Sequence, residues 1–280
     1  MVSASIVTYY PNLEALKRLL KAVEQSSIDK LYLIDNSSSE EVKKISNEFK
    51  KDQYIDAELN LGYGKGHNIG IDKSISEGYK YHIIINPDIF WEGDMITPMI
   101  SYMDSHQDVG QLMPKILYPN GELQYLCKLL PTPYDLFARR FLPFKNLIDK
   151  INSDYEMHWT GYDRIMEVPV LSGCFMVLRN KVVEKVGGFD EQFFLYAEDV
   201  DLCRRIGEVS KTIYFPEVYV YHTYERGSYK ANKLLWYHIN SIIKYFNKWG
   251  WFYDSQRKKR NSYCIDNIRE YTPNMVKSAL

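Results

Sequence analysis

Three groups of side chains stand where the chain can do chemistry. The first is Asn86-Pro87-Asp88, directly after Ile83-Ile84-Ile85 in "YHIIINPDIF". Proline has no amide hydrogen to extend a ladder, so a strand ends there, and its rigid ring spaces two oxygen-bearing side chains at i and i+2. Such a pair suits a hard divalent cation, magnesium or manganese; a plain Asn-Pro-Asp turn is the alternative. The second is "GGFDEQFFLYAEDVDLCRRI", residues 187 to 206, where Glu198, Asp199 and Asp201 crowd the first turn of a helix. The macrodipole favours negative charge there, and an ionised carboxylate can take a proton from a hydroxyl nucleophile; N-terminal capping explains the same residues. The third is His222, closing "VYVYH" at a strand end as a metal ligand, a phosphate ligand or a structural histidine.

A fourth stretch, "NLGYGKGHNIG" at residues 60 to 70, has Gly62, Gly64, Gly66 and Gly70 between a strand and a helix. It fails the dinucleotide pattern G-x-G-x-x-G in both registers, because His67 or Ile69 stands where the third glycine belongs. The ribose-binding acid of such a fold follows the glycines by ~20 residues, whereas Asp35 precedes them. A nicotinamide enzyme is disfavoured. What remains is close backbone approach to a ligand, with amides and Lys65 facing phosphate near a helix N-terminus, or a glycine loop without ligand.

The elements that position these residues alternate. "ASIVT", "KLYLID", "YIDAEL" and "YHIII" read as strands; "NLEALKRLLKAVEQ", with Leu13, Leu16, Leu20 and Val23 at helical spacing, and "SSSEEVKKISNEFK" read as helices. This βαβα order predicts an α/β fold with a mostly parallel twisted sheet flanked by helices, and ligands bind such sheets beyond the carboxyl ends of the strands. Thr8, Asp35 and Asn86 to Asp88 fall there. The proline-rich middle, "MPKILYPNGELQYLCKLLPTPYDLFARRFLPF", predicts a mobile excursion from the sheet. Order resumes with a strand in "VPVLSGCFMVLRN", a helix from "EDVDLCRRI", strands "TIYF" and "VYVYH", and an amphipathic helix "NKLLWYHINSIIKYFNKW".

Composition narrows the classes. The 280 residues are 45% hydrophobic and 25% charged, ordinary for a globular protein, and the net charge of -1 offers no overall field for nucleic acid. Cys127, Cys174, Cys203 and Cys264 show neither zinc nor disulfide spacing, which fits a reducing cytoplasm. No signal-peptide pattern or membrane span is visible. A peripheral contact is the expectation for the C-terminus, where Trp236, Trp249, Trp251, Phe252 and Tyr253 lie near "RKKR" at 257 to 260.

Taken in order, "SIVTYY", "IDNSS", "NLGYGKGHNIG", "NPD", "LSGCFMVLRN", "GGFDEQFFLYAEDVDLCRRI" and the His222 segment with "GS" at 227 to 228 resemble the family 2 glycosyltransferases with a GT-A fold, especially the bacterial rhamnosyltransferase-like branch. The likeness covers about residues 3 to 246. It implies a Rossmann-like nucleotide-sugar-binding half (1-100), an acceptor-binding half (101-228), and a C-terminal amphipathic helix with a basic tail (229-280). It places Thr8 and Tyr10 beside the nucleotide, Asp35 on the pyrimidine base, and Asn60, Gly62 and Asn68 along the nucleotide and ribose pocket. Asn86-Pro87-Asp88 stands where the family's Asp-x-Asp motif lies, so Asp88 would bind the metal (Mg2+ or Mn2+), with His222 near metal and diphosphate. Asp199 matches the catalytic base, with Glu198 reaching the acceptor. Two departures are Asn86, a neutral residue for a carboxylate, and Tyr10, in the place of an asparagine.

The activity implied is inverting transfer of a sugar, with rhamnose as candidate, from a dTDP- or UDP-sugar to a hydroxyl of a glycan or polyprenyl-diphosphate-linked acceptor in cell-surface polysaccharide synthesis. Two rivals remain. A non-catalytic nucleotide- or glycan-binding module would bind without turnover, and a sugar nucleotidyltransferase would release pyrophosphate.

Overall fold

The apolar runs of the first hundred residues pair side by side in parallel. In the computed structural model, which describes residues 1–136, 145–223 and 232–270, β1 (Val2–Thr8), β2 (Lys30–Asp35), β3 (Asp52–Asp56) and β4 (Tyr81–Ile85) lie in the order β3-β2-β1-β4. The rungs Thr8↔Asp35 and Asp35↔Asp56 put three polar residues at one edge of the sheet. Parallel neighbours require crossovers, and α1 (Leu13–Gln25), α2 (Glu40–Ser46) and α3 (Tyr63–Ser76) supply them. Asn12 caps α1 through the Ala15 amide (3.0 Å), and Ser39 caps α2 through the Val42 amide (3.3 Å). The face α1 buries is Leu16, Leu19, Leu20 and Val23; Leu13, expected in that stripe, is exposed in the first turn.

The second half inserts antiparallel strands. After β5 (Ile89–Phe90) and α4 (Ile96–Ser105), the chain enters β6 (Val109–Leu117), β7 (Cys127–Lys128), α5 (Lys145–Tyr155), β8 (Met166–Glu167), β9 (Val170–Leu171), β10 (Phe175–Arg179) and α6 (Asn180–Val186). α7 (Glu198–Ile206), β11 (Lys211–His222), α8 (Asn232–Trp249) and α9 (Ser255–Glu270) complete the described chain. The sheet continues β4-β10-β6-β11-β5, with β10 antiparallel to β4 and β6, and β8 on β11.

The excursion expected in the middle begins inside the sheet. "MPKIL" belongs to β6, which is buried and runs parallel to β11 as far as Leu117. Pro114 is tolerated because the ladder to β10 has already ended at Leu112. The segment 137–144 lies outside the described residues. "TIYF" and "VYVYH" form one strand, β11, broken by a register shift between Phe215 and Tyr219.

The basic C-terminal run is not a tail either. It opens α9, where Arg257 is buried and donates to the carbonyl of Pro131 (3.1 Å), and Arg260 donates to the carbonyl of Arg204 (3.0 Å). Arg204 and Asp254 form a two-pronged buried pair at 2.6 and 2.8 Å, tying α7 to the turn before α9. Among the described residues no helix is long and apolar enough to cross a membrane.

Candidate active site

The end of β4 and the end of β11 meet through β5. Pairing of His222 with Ile89 and of Tyr221 with Phe90 returns β11 to the Asn86–Asp88 loop, and the Thr223 amide donates to the Asp88 carbonyl (3.1 Å). This brings His222 Nε2 to 3.4 Å from Asp88 Oδ1. Asn86 Oδ1 is buried with no hydrogen-bond partner, an expensive state for an acceptor unless something else satisfies it. The carboxylate–imidazole separation is close to the roughly 3 Å between neighbouring ligands that each sit ~2.1 Å from an octahedral ion. Among the described residues no group of three His, Cys, Asp or Glu side chains gathers to hold a metal. Asp88, His222 and Asn86 therefore fit a cation that keeps most of its coordination for phosphate oxygens and water. Gly227 and Ser228 lie outside the described residues.

The "SGC" turn between β9 and β10 joins this loop to α7. The Cys174 carbonyl accepts from the Asn86 amide (2.9 Å), and the Gly173 amide donates to Asp199 Oδ2 (3.1 Å). Asp199 Oδ1 accepts from the Val200 amide (2.8 Å), so both carboxylate oxygens are oriented at the helix N-terminus while the residue stays partly exposed. A Cβ on Gly173 would sit 3.3 Å from both the Asp199 Cβ and the Tyr63 hydroxyl, which explains the glycine. Tyr63, which the sequence reading did not single out, donates its hydroxyl to the Gly173 carbonyl. Its pKa is raised well above that of free tyrosine, first by burial and then by Glu198, Cys174, Asp199 and Asp88, so all four surround it. Burial, with smaller contributions from Asp88 and Asp199, pushes the Cys174 thiol up to about 12.

The three acids of α7 do different work. Asp199 faces the cleft. Glu198 is 5% exposed, with Oε2 lacking a partner; burial and then the Asp199 charge push its pKa well above the usual carboxylate range. The macrodipole's preference for negative charge is overridden at Glu198, because desolvation of a buried carboxyl outweighs a dipole worth about 1 kcal/mol. Asp201 is fully buried and accepts from Arg205 Nε (2.8 Å), Trp249 Nε1 (2.8 Å) and Lys248 Nζ (2.7 Å), so it is a structural junction rather than a bare helix cap.

Most of the nucleotide-side residues have partners within the protein. Thr8 and Asp35 are fully buried; Asp35 accepts from the Thr8, Ser37 and Tyr54 hydroxyls and the Ser37 and Ser39 amides. Its carboxylate organises the loop after β2. Asn68 clasps Phe189, accepting from its amide (2.8 Å) and donating to its carbonyl (2.9 Å). Lys65 pairs with Glu191 at the surface (3.1 Å). Asn60 accepts from the Gly62 amide (2.9 Å), and Tyr10, 73% exposed, stands beside Tyr9 at the end of β1.

The glycines serve packing more than ligand approach. Gly62, at φ +83°, precedes α3, and a Cβ there would lie 2.3 Å from the Phe194 carbonyl oxygen; a Cβ on Gly66 or Gly70 would come within 2.9 Å of Val7 or 2.6 Å of Ser5, so these glycines let α3 lie close on β1. The signal was legible as i, i+4, i+8 spacing from Gly62, a small-residue face on a helix. Gln124 carried no such signal, because it lies in an irregular stretch; in the fold it holds His222, with Gln124 Oε1 at 3.0 Å from Nδ1.

The comparisons bear on family and fold. The family described as "Glycosyl transferase family 2" matches residues 5–187. Rhamnosyltransferase WbbL of Escherichia coli (strain K12) is 26% identical over 86% of this chain and 90% of its own. The N-acetylglucosaminyl-diphospho-decaprenol L-rhamnosyltransferase of Mycobacterium tuberculosis (strain ATCC 25618 / H37Rv) is 26% identical over 85% of this chain and 81% of its own. Among solved structures, GalNAc-T7 with UDP, GalNAc and Mn2+ superposes with a TM-score of 0.60 at 16% identity, over 80% of this chain and 43% of that one. Mannosyltransferase PcManGT from Pyrobaculum calidifontis, in complex with GDP-Man and Mn2+, gives 0.59 at 11% identity, over 95% and 69%. These likenesses show the GT-A fold. The family match runs from β1 through the Asn86–Asp88 loop to the turn after α6, so the chain belongs to glycosyl transferase family 2 and is a glycosyltransferase.

Proposed function

We propose that this enzyme transfers rhamnose from a nucleoside-diphosphate donor, dTDP- or UDP-linked, to a hydroxyl of a glycan or polyprenyl-diphosphate-linked acceptor in cell-surface polysaccharide synthesis, with inversion at the anomeric carbon. The observation that carries the reading is Asp199: a partly exposed carboxylate, oriented by the Gly173 and Val200 amides, reached by the same turn that anchors Asn86. The names of the relatives support the sugar, and that of the mycobacterial relative supports a lipid-linked acceptor.

In this reading Asp199 takes the proton of the acceptor hydroxyl as its oxygen bonds to the anomeric carbon. The bond from that carbon to the diphosphate breaks, and the nucleoside diphosphate leaves with the electron pair. Burial pushes the Glu198 carboxyl well above the usual carboxylate range, which disfavours it as an anionic nucleophile, and the reading is a single displacement with inversion. Asp88 and His222, with the Asn86 amide oxygen, would hold a divalent cation. Bound there, Mg2+ or Mn2+ supplies positive charge against the departing diphosphate. In this reading Tyr10, exposed just past β1, meets the nucleotide, while Thr8, Asp35, Asn60, Gly62 and Asn68 shape the loops beneath it.

Contact with a membrane face rests on fewer residues than the C-terminal sequence offered. Trp249 donates to Asp201, Trp251 packs on Phe246, and Arg257 is buried. Phe252 (80% exposed), Tyr253 (98%) and Trp236 (62%) remain, with Lys258 and Lys259 exposed nearby.

The test is turnover of dTDP- and UDP-sugars, dTDP-rhamnose foremost, against lipid-linked acceptors, with the anomeric configuration of the product read by NMR. Release of pyrophosphate would identify a nucleotidyltransferase, and donor binding without turnover a non-catalytic module.

A further inference from the structure

We infer that Gln124 is a positioning residue that fixes the tautomer of His222, so that Nε2 faces Asp88 with its lone pair. The inference rests on the cation site proposed above. Gln124 is 3% exposed and follows β6, where its own amide donates to the Ile116 carbonyl (2.9 Å). Its side-chain Nε2 donates to the carbonyls of His222 (2.8 Å) and Leu117 (3.4 Å). Carbonyl oxygens only accept, so these two bonds settle which end of the amide is nitrogen; the reverse orientation would set three oxygens against one another. Oε1 is then left facing His222 Nδ1 at 3.0 Å, and because Oε1 only accepts, Nδ1 must carry the hydrogen.

A neutral imidazole has one N–H, so with Nδ1 protonated the lone pair is on Nε2, the atom 3.4 Å from Asp88 Oδ1. Two electron-rich atoms aimed at each other at that distance repel unless positive charge lies between them. Metal-binding histidines are commonly held by an acceptor on the other ring nitrogen in this way, and loss of that partner costs 10–100-fold in affinity as a rule of thumb (about 10–100-fold). Gln124 spans 98 residues of sequence to do this, which is why no local pattern reveals it.

The test uses the full-length protein labelled with 15N-histidine. Long-range 1H–15N spectra at mildly alkaline pH report the protonated ring nitrogen of each of the 6 histidines, and a His222→Gln variant assigns the signal. The wild type should show His222 as the Nδ1–H tautomer. Gln124→Met, which keeps length and loses the acceptor, should lose that preference and weaken Mn2+ binding, measured by EPR, by about 10–100-fold. The wild-type tautomer is read without any substitution and serves as the check if the Met variant does not fold. An Nε2–H tautomer in the wild type, or Mn2+ affinity in Gln124→Met equal to wild type, would overturn the inference. Wild-type protein with the Nδ1–H tautomer but without Mn2+ binding would sink the cation site while leaving the hold of Gln124 on the imidazole established.

Discussion

On the wall of the cleft built by β1, β2 and α3, the polar side chains singled out by motif have partners within the protein. Asp35 accepts from five donors, Asn68 holds both backbone groups of Phe189, and Lys65 is paired with Glu191. On the wall built by β4, β11 and α7, Asn86 Oδ1 is buried without a partner, Asp88 and His222 face each other across 3.4 Å, and Asp199 is oriented yet partly exposed. The same residue types thus build one wall and are left with capacity to act on the other. A carboxylate whose lone pairs are filled by the fold stabilises a loop; one with lone pairs to spare can take a proton or a cation.

The contrast breaks first at Asp199. Asp199→Asn keeps size and removes the proton-accepting oxygen, so turnover should fall by about 10²- to 10⁴-fold while donor affinity is retained. A loss of only a few-fold would move the base elsewhere. Chelation, or Asp88→Ala with the fold intact by circular dichroism, should lower turnover by about 100-fold or more, since the charge a cation supplies is worth several kcal/mol. Full activity in excess chelator would remove the cation from the mechanism.

Where the fold fills a side chain's hydrogen bonds, the expected losses are of stability. Asp201, two residues from Asp199, sharpens the point: Asp201→Asn weakens a buried junction with Arg205, Lys248 and Trp249 and should cost about 3 kcal/mol in urea unfolding, with turnover per folded molecule little changed. Between β1 and β4, burial pushes His82 down to about 3, where it bonds to the Ser3 and Ser5 hydroxyls, and His67 is lowered well below the ordinary histidine value as well. The unfolded chain therefore takes up protons first as pH falls. The stability these neutral histidines contribute is present above about pH 6.5 and drains away towards pH 3; by about pH 5 His82 alone accounts for on the order of 2 kcal/mol. Unfolding midpoints across that range check it, and His82→Gln should flatten the slope. Last, Lys65→Ala removes an exposed pair worth at most about 1 kcal/mol and should leave donor affinity near wild type. A large loss of donor affinity would put Lys65 back on the acting wall.

The legible part of the molecule is local. Periodicity located β1, β2, β4 and α1, and the rigid Pro87 marked the strand end that carries Asp88. Pro114 misled for the opposite reason: whether a missing N–H breaks a strand depends on whether a neighbour is there to accept from it, and beyond Leu112 β10 is no longer paired. The basic run at 257 to 260 misled too, since charge alone does not tell that Arg257 caps the Pro131 carbonyl from inside.

Residue types and short spacings by themselves determined the alternating βα order, the strand-end placement of Asn86 and Asp88, and the acidic start of α7, because strand and helix periods and proline stereochemistry act within a few residues. The tertiary structure alone decided which acid is desolvated and which is filled. Desolvation of Glu198, the three donors on Asp201, and the contact of Gln124 with His222 across 98 residues arise only when distant segments pack, and burial and pairing are properties of that packing rather than of neighbours in the chain.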